Sequence, residues 1–323
     1  MLTQIFIANS VYALFLYMLR FSDKINDTLF LLGPSAVPVR VPNRLPMFGP
    51  QKPEQLPLMR TFLQQQAYLM LDGRRVPCYG NVETIFSGFF VQNFPFYPVS
   101  DGLWDIQKFP EYLKDPRFPK CYTVPYPGGL DQPHERLEYL DIKALWEAKS
   151  QAEKEEFAAY FHVDKPTVRT LENRKVLLVT QPLSEDRITS EQDKIDIYRS
   201  IVSQYNTKEI VIKPHPREMT NWASVFPDIP VIPKIVPAEL LTLLVPQLDK
   251  VATFFSTAAC NVVDPQKVDF YAKDFAQLIY YDVNRTENGR AMKAIASFDV
   301  EESLKKENAF NWLRLPDNRF YKK

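Results

Sequence analysis

Residues 209–218 read EIVIKPHPRE, a short run of β-branched apolar residues that ends directly in Pro-His-Pro-Arg. Such residues favour a buried strand, so we predict one over 209–213. A proline cannot donate to a strand ladder, and the two prolines here also limit the backbone freedom of His215. The sequence therefore predicts a strand that presents Lys213, His215 and Arg217 at its carboxyl end.

The residues around this strand repeat the pattern of short, wholly apolar runs separated by amphipathic segments. Continuous rather than alternating apolar strands are typical of a parallel sheet covered on both faces. We predict strands at 175–180, 229–232 and 250–255, and helices at 190–205 and 237–244. The second half of the chain is thus predicted to be an α/β domain with a parallel sheet covered on both faces.

In sheets of this kind, ligands bind beyond the carboxyl ends of the strands. Polar and ionisable residues follow three of the predicted strand ends: Ser184, Glu185, Asp186, Lys213, His215, Arg217, Ser256 and Thr257. The topology therefore predicts that these residues converge on one site.

The length of 323 residues indicates two domains, which we predict to be 1–165 and 166–323. In the first half we expect a strand at 5–8 and a buried helix that begins at Ser10. The proline-rich range 29–60 is predicted to be a loop with short extended pieces. We also expect helices at 61–71 and 137–161.

The composition excludes several classes of function. Lys plus Arg equals Asp plus Glu at 39 each, so net charge gives no support for nucleic-acid binding. Three distant cysteines fit a reducing compartment and argue against a disulfide framework or a zinc site. There is no GxGxxG and no P-loop motif. The apolar N-terminus lacks a basic leader and a cleavage site, so we expect neither a signal peptide nor a membrane anchor.

The residues at the predicted sheet edge suit a nucleotide with a single phosphate. The hydroxyls of Ser256 and Thr257, placed before a helix, favour a phosphate, and Lys213 and Arg217 add positive charge. A histidine can donate a proton to a phosphate oxygen. Glu239, in the first turn of the 237–244 helix, is suited to accept hydrogen bonds from ribose hydroxyls. The chain has no Asp-x-Asp triplet and no histidine–cysteine cluster, so we expect no metal.

Several of these segments resemble the bacterial sialyltransferases of glycosyltransferase family 52, the lipooligosaccharide sialyltransferase type. KPHPRE (213–218) resembles the HP motif of that family, and FFSTAA (254–259) resembles its serine motif. The segment 80–106 resembles the part that carries an acidic-Asp-Gly motif, which is Ser100-Asp101-Gly102 here. VLLVTQPLSED (176–186) resembles the strand and loop that supply the proposed base.

The resemblance implies a GT-B architecture, in which two Rossmann-like domains with parallel sheets face a central cleft. It implies inverting, metal-independent transfer of sialic acid from CMP-sialic acid to a galactose-terminated glycan. By motif, His215 is the general acid and Asp186 the base. The donor-binding residues are Lys213, Pro214, Arg217, Glu239, Ser256 and Thr257.

The resemblance leaves alternatives open. Serine replaces the acidic residue of the acidic-Asp-Gly motif, so Glu185 and Asp101 rival Asp186 as the base. A GT-B hexosyltransferase with another sugar nucleotide, or a non-catalytic nucleotide- or glycan-binding protein, could use the same fold. The resemblance also implies a bacterial cytoplasmic protein and a homodimer, and any contact with the inner face of the inner membrane is expected to be peripheral.

Overall fold

The sequence folds into two units, each built on its own parallel sheet, in the computed structural model. The first unit takes in the described residues up to His162, and the second those from Val163 onward. The structure describes residues 1–49, 53–84, 86–100, 108–125, 134–186, 188–254, 256, 259–262 and 267–271.

The first unit contains a five-stranded parallel sheet with the strand order β3-β2-β1-β4-β5. Its two longest strands, β1 and β2, are buried along their whole length because helices cover both faces. The strands are β1 Gln4–Ala8, β2 Thr28–Leu32, β3 Arg44–Pro46, β4 Cys78–Gly80 and β5 Phe96–Pro98. A further parallel pair, β6 Cys121–Thr123 and β7 Leu137–Tyr139, adjoins β5 through a bridge between Val99 and Tyr122.

The described residues of this unit form the α-helices α1 Val11–Arg20, α2 Leu56–Met70, α3 Ser87–Asn93, α4 Phe109–Lys114, α5 Ile142–Glu147 and α6 Gln151–Tyr160. The side chain of Ser10 caps α1, as predicted, by accepting hydrogen bonds from two backbone amides of the first turn. The ring of Phe15 on α1 contacts Phe157 and Phe161, which explains why so apolar a helix is buried. Among the described residues no helix is both long and apolar enough to cross a membrane.

The second unit contains a four-stranded parallel sheet with the order β11-β10-β8-β9. The strands are β8 Val176–Val179, β9 Ile210–Lys213, β10 Lys250–Thr253 and β11 Val268–Phe270. The helices are α7 Lys165–Leu171, α8 Glu191–Val202, α9 Trp222–Val225, α10 Ala238–Leu244 and α11 Ala259–Val262. The ring of Tyr198 on α8 meets that of Trp222 on α9 at 5.0 Å in the buried core.

The α/β class with parallel sheets is confirmed, whereas three local predictions are wrong. Residues 29–32 belong to the buried strand β2, and the helix α2 begins at Leu56, so the range 29–60 is not all loop. The predicted helix 137–161 is instead the strand β7 and two helices, which are interrupted at the N-caps Asp141 and Ser150. The predicted strand at 229–232 is reduced to one bridge between Ile212 and Val231.

The predicted domain boundary at 165/166 falls at the first residues of α7. The boundary and the GT-B arrangement about a central cleft both stay predictions.

Candidate functional site

Three loops leave the same edge of the second sheet. The strand β8 lies between β9 and β10, and Val179 pairs in register with Lys213 on one side and Thr253 on the other. The strands therefore end level with one another. Asp186, His215 and Ser256 lie in the loops that follow these three ends, so the structure brings the predicted loops to one edge.

A buried glutamate that the sequence reasoning missed holds the His215 loop. Glu218 is fully buried, and its Oε2 accepts hydrogen bonds from the backbone amide of His215 at 2.6 Å and from the hydroxyl of Thr180. Its Oε1 accepts one from the indole of Trp222 at 3.2 Å. Burial raises the pKa of Glu218 against the opposing effect of these hydrogen bonds. Glu218 thus joins the loop after β9 to the end of β8 and to α9.

The local bonding also orients the ring of His215. Its Nδ1 accepts a hydrogen bond from the backbone amide of Arg217 at 3.1 Å, which places the proton of the neutral ring on Nε2. The residue is half-buried, and Pro214 before it is buried. Burial lowers the pKa of His215 to about 4, assisted by the positive charges of Arg217 and Lys213 and opposed by Asp186 and Glu185. In the ligand-free chain the imidazole is therefore neutral at pH 7.

At the edge of the sheet, Arg217 forms a bidentate ion pair with Asp186. One guanidinium nitrogen contacts Oδ1, and Nη2 donates to Oδ2 at 2.9 Å. This hydrogen bonding raises the pKa of Arg217. The pair connects the loop after β8 with the loop after β9, and the side chain of Arg217 is 55% exposed, so it can move without disturbing the core.

Glu185, the rival base in the same loop, is held by a buried lysine. Nζ of the fully buried Lys194 lies 2.9 Å from Oε2 of Glu185 and 2.9 Å from Oε2 of Glu191. The backbone amide of Met219 also donates to Glu185. Burial favours the neutral acid, but these hydrogen bonds outweigh it and lower the pKa of Glu185. Spacing could have revealed Lys194, since it lies four residues before Tyr198 on the buried face of α8.

Lys213 and Glu239 are both buried, and each affects the pKa of the other through its charge. The ammonium of Lys213 donates to the carbonyl of Pro214 and, at 3.1 Å, to that of Lys234. Burial lowers the pKa of Lys213 to about 8, against the opposing charges of Glu218 and Glu239. Burial raises the pKa of Glu239 to about 7, although its own backbone amide and Lys213 oppose the change. Lys213 therefore supports the loop through backbone carbonyls, which the sequence did not indicate.

Ser256 is fixed by the strand that precedes it. Its backbone amide donates to Oγ1 of Thr253 at 3.1 Å, and that hydroxyl donates to the carbonyl of Val179 at 3.0 Å. The carbonyl of Ser256 accepts from the amide of Ala259 at the start of α11. The other predicted phosphate ligand, Thr257, and the alternative base, Asp101, lie outside the described residues.

In the part of the chain that the structure describes, no three His, Cys, Asp or Glu side chains are grouped so that they could hold a metal ion. The expectation of a metal-independent enzyme stays a prediction.

Comparison with known proteins identifies the family. The model of "Glycosyltransferase family 52" matches residues 78–275, more than half of the chain and all of the loops described above. The chain belongs to glycosyltransferase family 52. A Haemophilus influenzae protein described as uncharacterized is 38% identical over 169 residues. That match covers 52% of this chain and 54% of the relative, so the chain spans about half the length of this curated relative.

Among solved structures, a Staphylococcus aureus MnaA–UDP complex aligns over 98% of each chain, with a TM-score of 0.43 and 11% identity. The family assignment rests on the match over residues 78–275.

Proposed function

We propose that this family 52 glycosyltransferase is an inverting sialyltransferase that uses CMP-sialic acid and no metal. The observation that carries the proposal is the anchoring of His215 at the edge where the Ser256 loop also emerges. Glu218 holds the backbone amide of His215, and the amide of Arg217 donates to its Nδ1. Nε2 is the ring nitrogen that remains to contact a ligand. A departing monophosphate needs a placed proton donor and hydroxyl partners.

The low pKa of His215 fits the role of acid once the donor is bound. The free imidazole is neutral because burial and two nearby cations disfavour its charge. A phosphate anion placed against the ring favours the imidazolium and raises its pKa. Donor binding therefore favours uptake of a proton at Nδ1, which requires the hydrogen bond from the amide of Arg217 to open. The imidazolium then gives its Nε2 proton to the phosphate oxygen as the bond between that oxygen and the anomeric carbon breaks.

We assign Asp186 as the base that takes the proton of the acceptor hydroxyl while the oxygen attacks the anomeric carbon. Its partner Arg217 is a surface side chain and can release one carboxylate oxygen at small cost. Glu185, in contrast, is tied to the fully buried Lys194, and freeing it would leave a buried charge with one partner fewer. Asp101 stays an alternative from the sequence.

The donor is proposed to contact the remaining residues of the three loops. Glu239 accepts hydrogen bonds from ribose hydroxyls, and Ser256 with Thr257 binds the phosphate. Pro214, at the start of the loop after β9, has a fixed backbone φ angle, and Pro216 restricts the backbone of His215. Lys213 contributes positive charge from beneath the loop, and Arg217 adds charge at the surface.

For the acceptor and the setting, we propose a galactose-terminated bacterial surface glycan, of a lipooligosaccharide or a capsule, and a cytoplasmic enzyme that forms a homodimer. Membership of a glycosyltransferase family implies a sugar donor and a glycan acceptor.

The test is a donor panel with the whole chain. CMP-sialic acid, UDP-hexoses and GDP-hexoses are each incubated with the protein and lactose, and release of the free nucleotide is measured with and without EDTA. We expect turnover with CMP-sialic acid alone and no loss in EDTA. Turnover only with a UDP- or GDP-sugar would replace the proposal with a hexosyltransferase, and saturable CMP binding without turnover would replace it with a binding protein.

A further inference from the structure

A buried ammonium, that of Lys194 near the start of α8, lies between two carboxylates. Its Nζ is 2.9 Å from Oε2 of Glu185 and 2.9 Å from Oε2 of Glu191. The side chain of Lys194 is fully buried, whereas that of Glu191 is half exposed. Burial favours the neutral acids, but hydrogen bonding outweighs it and lowers the pKa of both glutamates. The cluster is therefore a buried cation held by two ionised carboxylates.

These two carboxylates join the loop after β8 to the loop after β9. Glu185 lies in the first loop, and its Oε1 accepts a hydrogen bond of 2.5 Å from the backbone amide of Met219 in the second. Glu191 accepts a hydrogen bond from the hydroxyl of Ser184 in the first loop. It accepts another, of 2.7 Å, from the hydroxyl of Thr220 in the second. Both links between the loops therefore end on the same buried ammonium.

The cluster also holds the residue that precedes the proposed base. Glu185 is followed directly by Asp186, whose backbone amide donates to the carbonyl of Pro182 at 2.8 Å. A further link between the loops is the ion pair of Asp186 with Arg217, which lies at the surface. This pair has to release a carboxylate oxygen when Asp186 takes a proton from an acceptor. The buried links remain to hold the two loops at a fixed spacing during that step.

The contacts that fix the proposed acid are separate from this cluster. The backbone amide of His215 is held by Glu218, and its Nδ1 accepts from the amide of Arg217. Glu218 is held in turn by the hydroxyl of Thr180 and the indole of Trp222. We therefore expect loss of the buried ammonium to displace the base and to leave the proton donor in place.

We propose that Lys194 is a positioning residue that sets the spacing between the loop of Asp186 and the loop of His215. The proposal rests on the proposed function, since it concerns two reactions of the same donor. Transfer to a galactoside needs the base at the acceptor hydroxyl. In hydrolysis the oxygen of water bonds to the anomeric carbon, a proton of that water passes to solvent, and the phosphate oxygen takes the proton of His215. Hydrolysis therefore tolerates a displaced base, and loss of the ammonium shifts the partition from transfer toward hydrolysis.

The experiment measures both products of the whole chain with CMP-sialic acid and lactose at pH 7.5, sialyllactose for transfer and free sialic acid for hydrolysis. In Lys194→Met the ratio of transfer to hydrolysis should fall about tenfold or more, while the affinity for CMP changes by less than about threefold. Thr220→Val removes one hydroxyl from the link through Glu191 and keeps the shape of the side chain. Its ratio should fall about threefold.

Two controls separate positioning from stability. Val202→Ala removes volume from the core, about 12 Å further along α8, so it should lower the melting temperature and leave the ratio unchanged. Glu185→Gln is the conservative variant. Oε1 of Glu185 accepts from both Lys194 and the amide of Met219, and the amide oxygen of glutamine can keep both bonds. Its ratio should therefore stay near that of wild type.

The outcomes distinguish this assignment from the proposed function. A wild-type ratio in folded Lys194→Met would overturn the role of Lys194, and if that variant does not fold, a wild-type ratio in Thr220→Val does so. A fall of the same size in Val202→Ala would also overturn it, because the effect would then follow stability alone. Wild type that forms no sialyllactose would instead contradict the proposed function, and the assignment of Lys194 with it.

Discussion

The buried carboxylate of Glu218 accepts a hydrogen bond of 2.6 Å from the backbone amide of His215. The same carboxylate bonds the hydroxyl of Thr180 at the end of β8 and the indole of Trp222 in α9. The position of His215 is thus set by an acidic residue three positions later in the chain. Glu218 is a positioning residue, and several predictions depend on it and on its neighbours.

We predict that Glu218→Gln lowers kcat for sialyl transfer by about tenfold or more while CMP affinity changes by less than about threefold. All three partners of the carboxylate are donors, so either orientation of the amide turns its NH₂ group toward a donor. The free energy of unfolding should fall by about 1–3 kcal/mol. Steady-state kinetics well below the melting temperature separate the two effects.

The control for this variant is Glu209→Gln, which removes a carboxylate from an exposed ion pair with Lys175 and should change stability by less than about 1 kcal/mol. Wild-type kcat in a folded Glu218→Gln protein would remove the positioning role.

Asp186→Asn should reduce transfer to the acceptor about 100-fold or more, because the amide cannot take the hydroxyl proton, and CMP binding should persist. Glu185→Gln should instead act on stability, lowering it by about 1–3 kcal/mol, since Lys194 is left in the interior with weaker compensation. Transfer assays and thermal melts on both variants decide between the two carboxylates. Selective loss of transfer in Glu185→Gln, with Asp186→Asn active, would reverse the assignment.

The affinity for CMP should depend on pH through His215. The pKa of the free residue is about 4, and a bound phosphate raises it, so binding takes up a proton in the interval between the two values. Wild type should therefore gain affinity relative to His215→Asn as the pH falls from 7.5 to 5.5. Titration of CMP itself and of Glu239 is common to both proteins and cancels in the ratio of their dissociation constants. A ratio that stays constant over this range would show that His215 does not meet the phosphate.

Stability should also depend on pH through Glu239. Its pKa is raised from 4.5 to about 7 by burial, so the folded chain binds more protons than the unfolded chain between these values. This contribution is fully present below pH 4.5 and is lost as the pH rises through 7. Glu239→Gln removes the ionisation, so its stability relative to wild type should increase between pH 5 and pH 7.5, by up to about 3 kcal/mol. Chemical denaturation at several pH values measures this, and parallel curves for the two proteins would contradict it.

The second unit was predictable because its strands are short, apolar and bounded by polar loops. The run from Ile210 to Lys213 is sufficient to predict a parallel strand that is covered on both faces. Parallel topology alone then brings the loops after β8, β9 and β10 to one edge of the sheet. The first unit was harder to predict. The apolar run Thr28–Leu32 is followed closely by prolines. Because 29–60 was treated as one proline-rich range, the central strand of five residues at its start was not predicted.

The buried charged residues show which contacts cannot be predicted from the sequence alone. Glu218 looks like a solvated residue in the sequence, and only the tertiary structure brings it beside three donors. Helical spacing places Lys194 on the buried face of α8, but only the tertiary structure brings it beside Glu185. Lys213 was correctly placed at the end of a strand, but its ammonium bonds carbonyls at residues 214 and 234. Contacts between residues that lie far apart in the chain decide these roles, and such contacts cannot be predicted from a local sequence pattern.

The most direct test of the proposed function measures turnover of CMP-sialic acid by wild type and by His215→Ala, together with the affinity of each protein for CMP. We predict that wild type transfers sialic acid to a galactoside with release of CMP. At pH 7.5 His215→Ala should retain CMP affinity within about threefold and lose about 100-fold or more in kcat, because the transfer of its proton to the phosphate oxygen takes place in the transition state. Equal losses in affinity and in kcat, or undiminished turnover by His215→Ala, would contradict the role of this histidine as the acid.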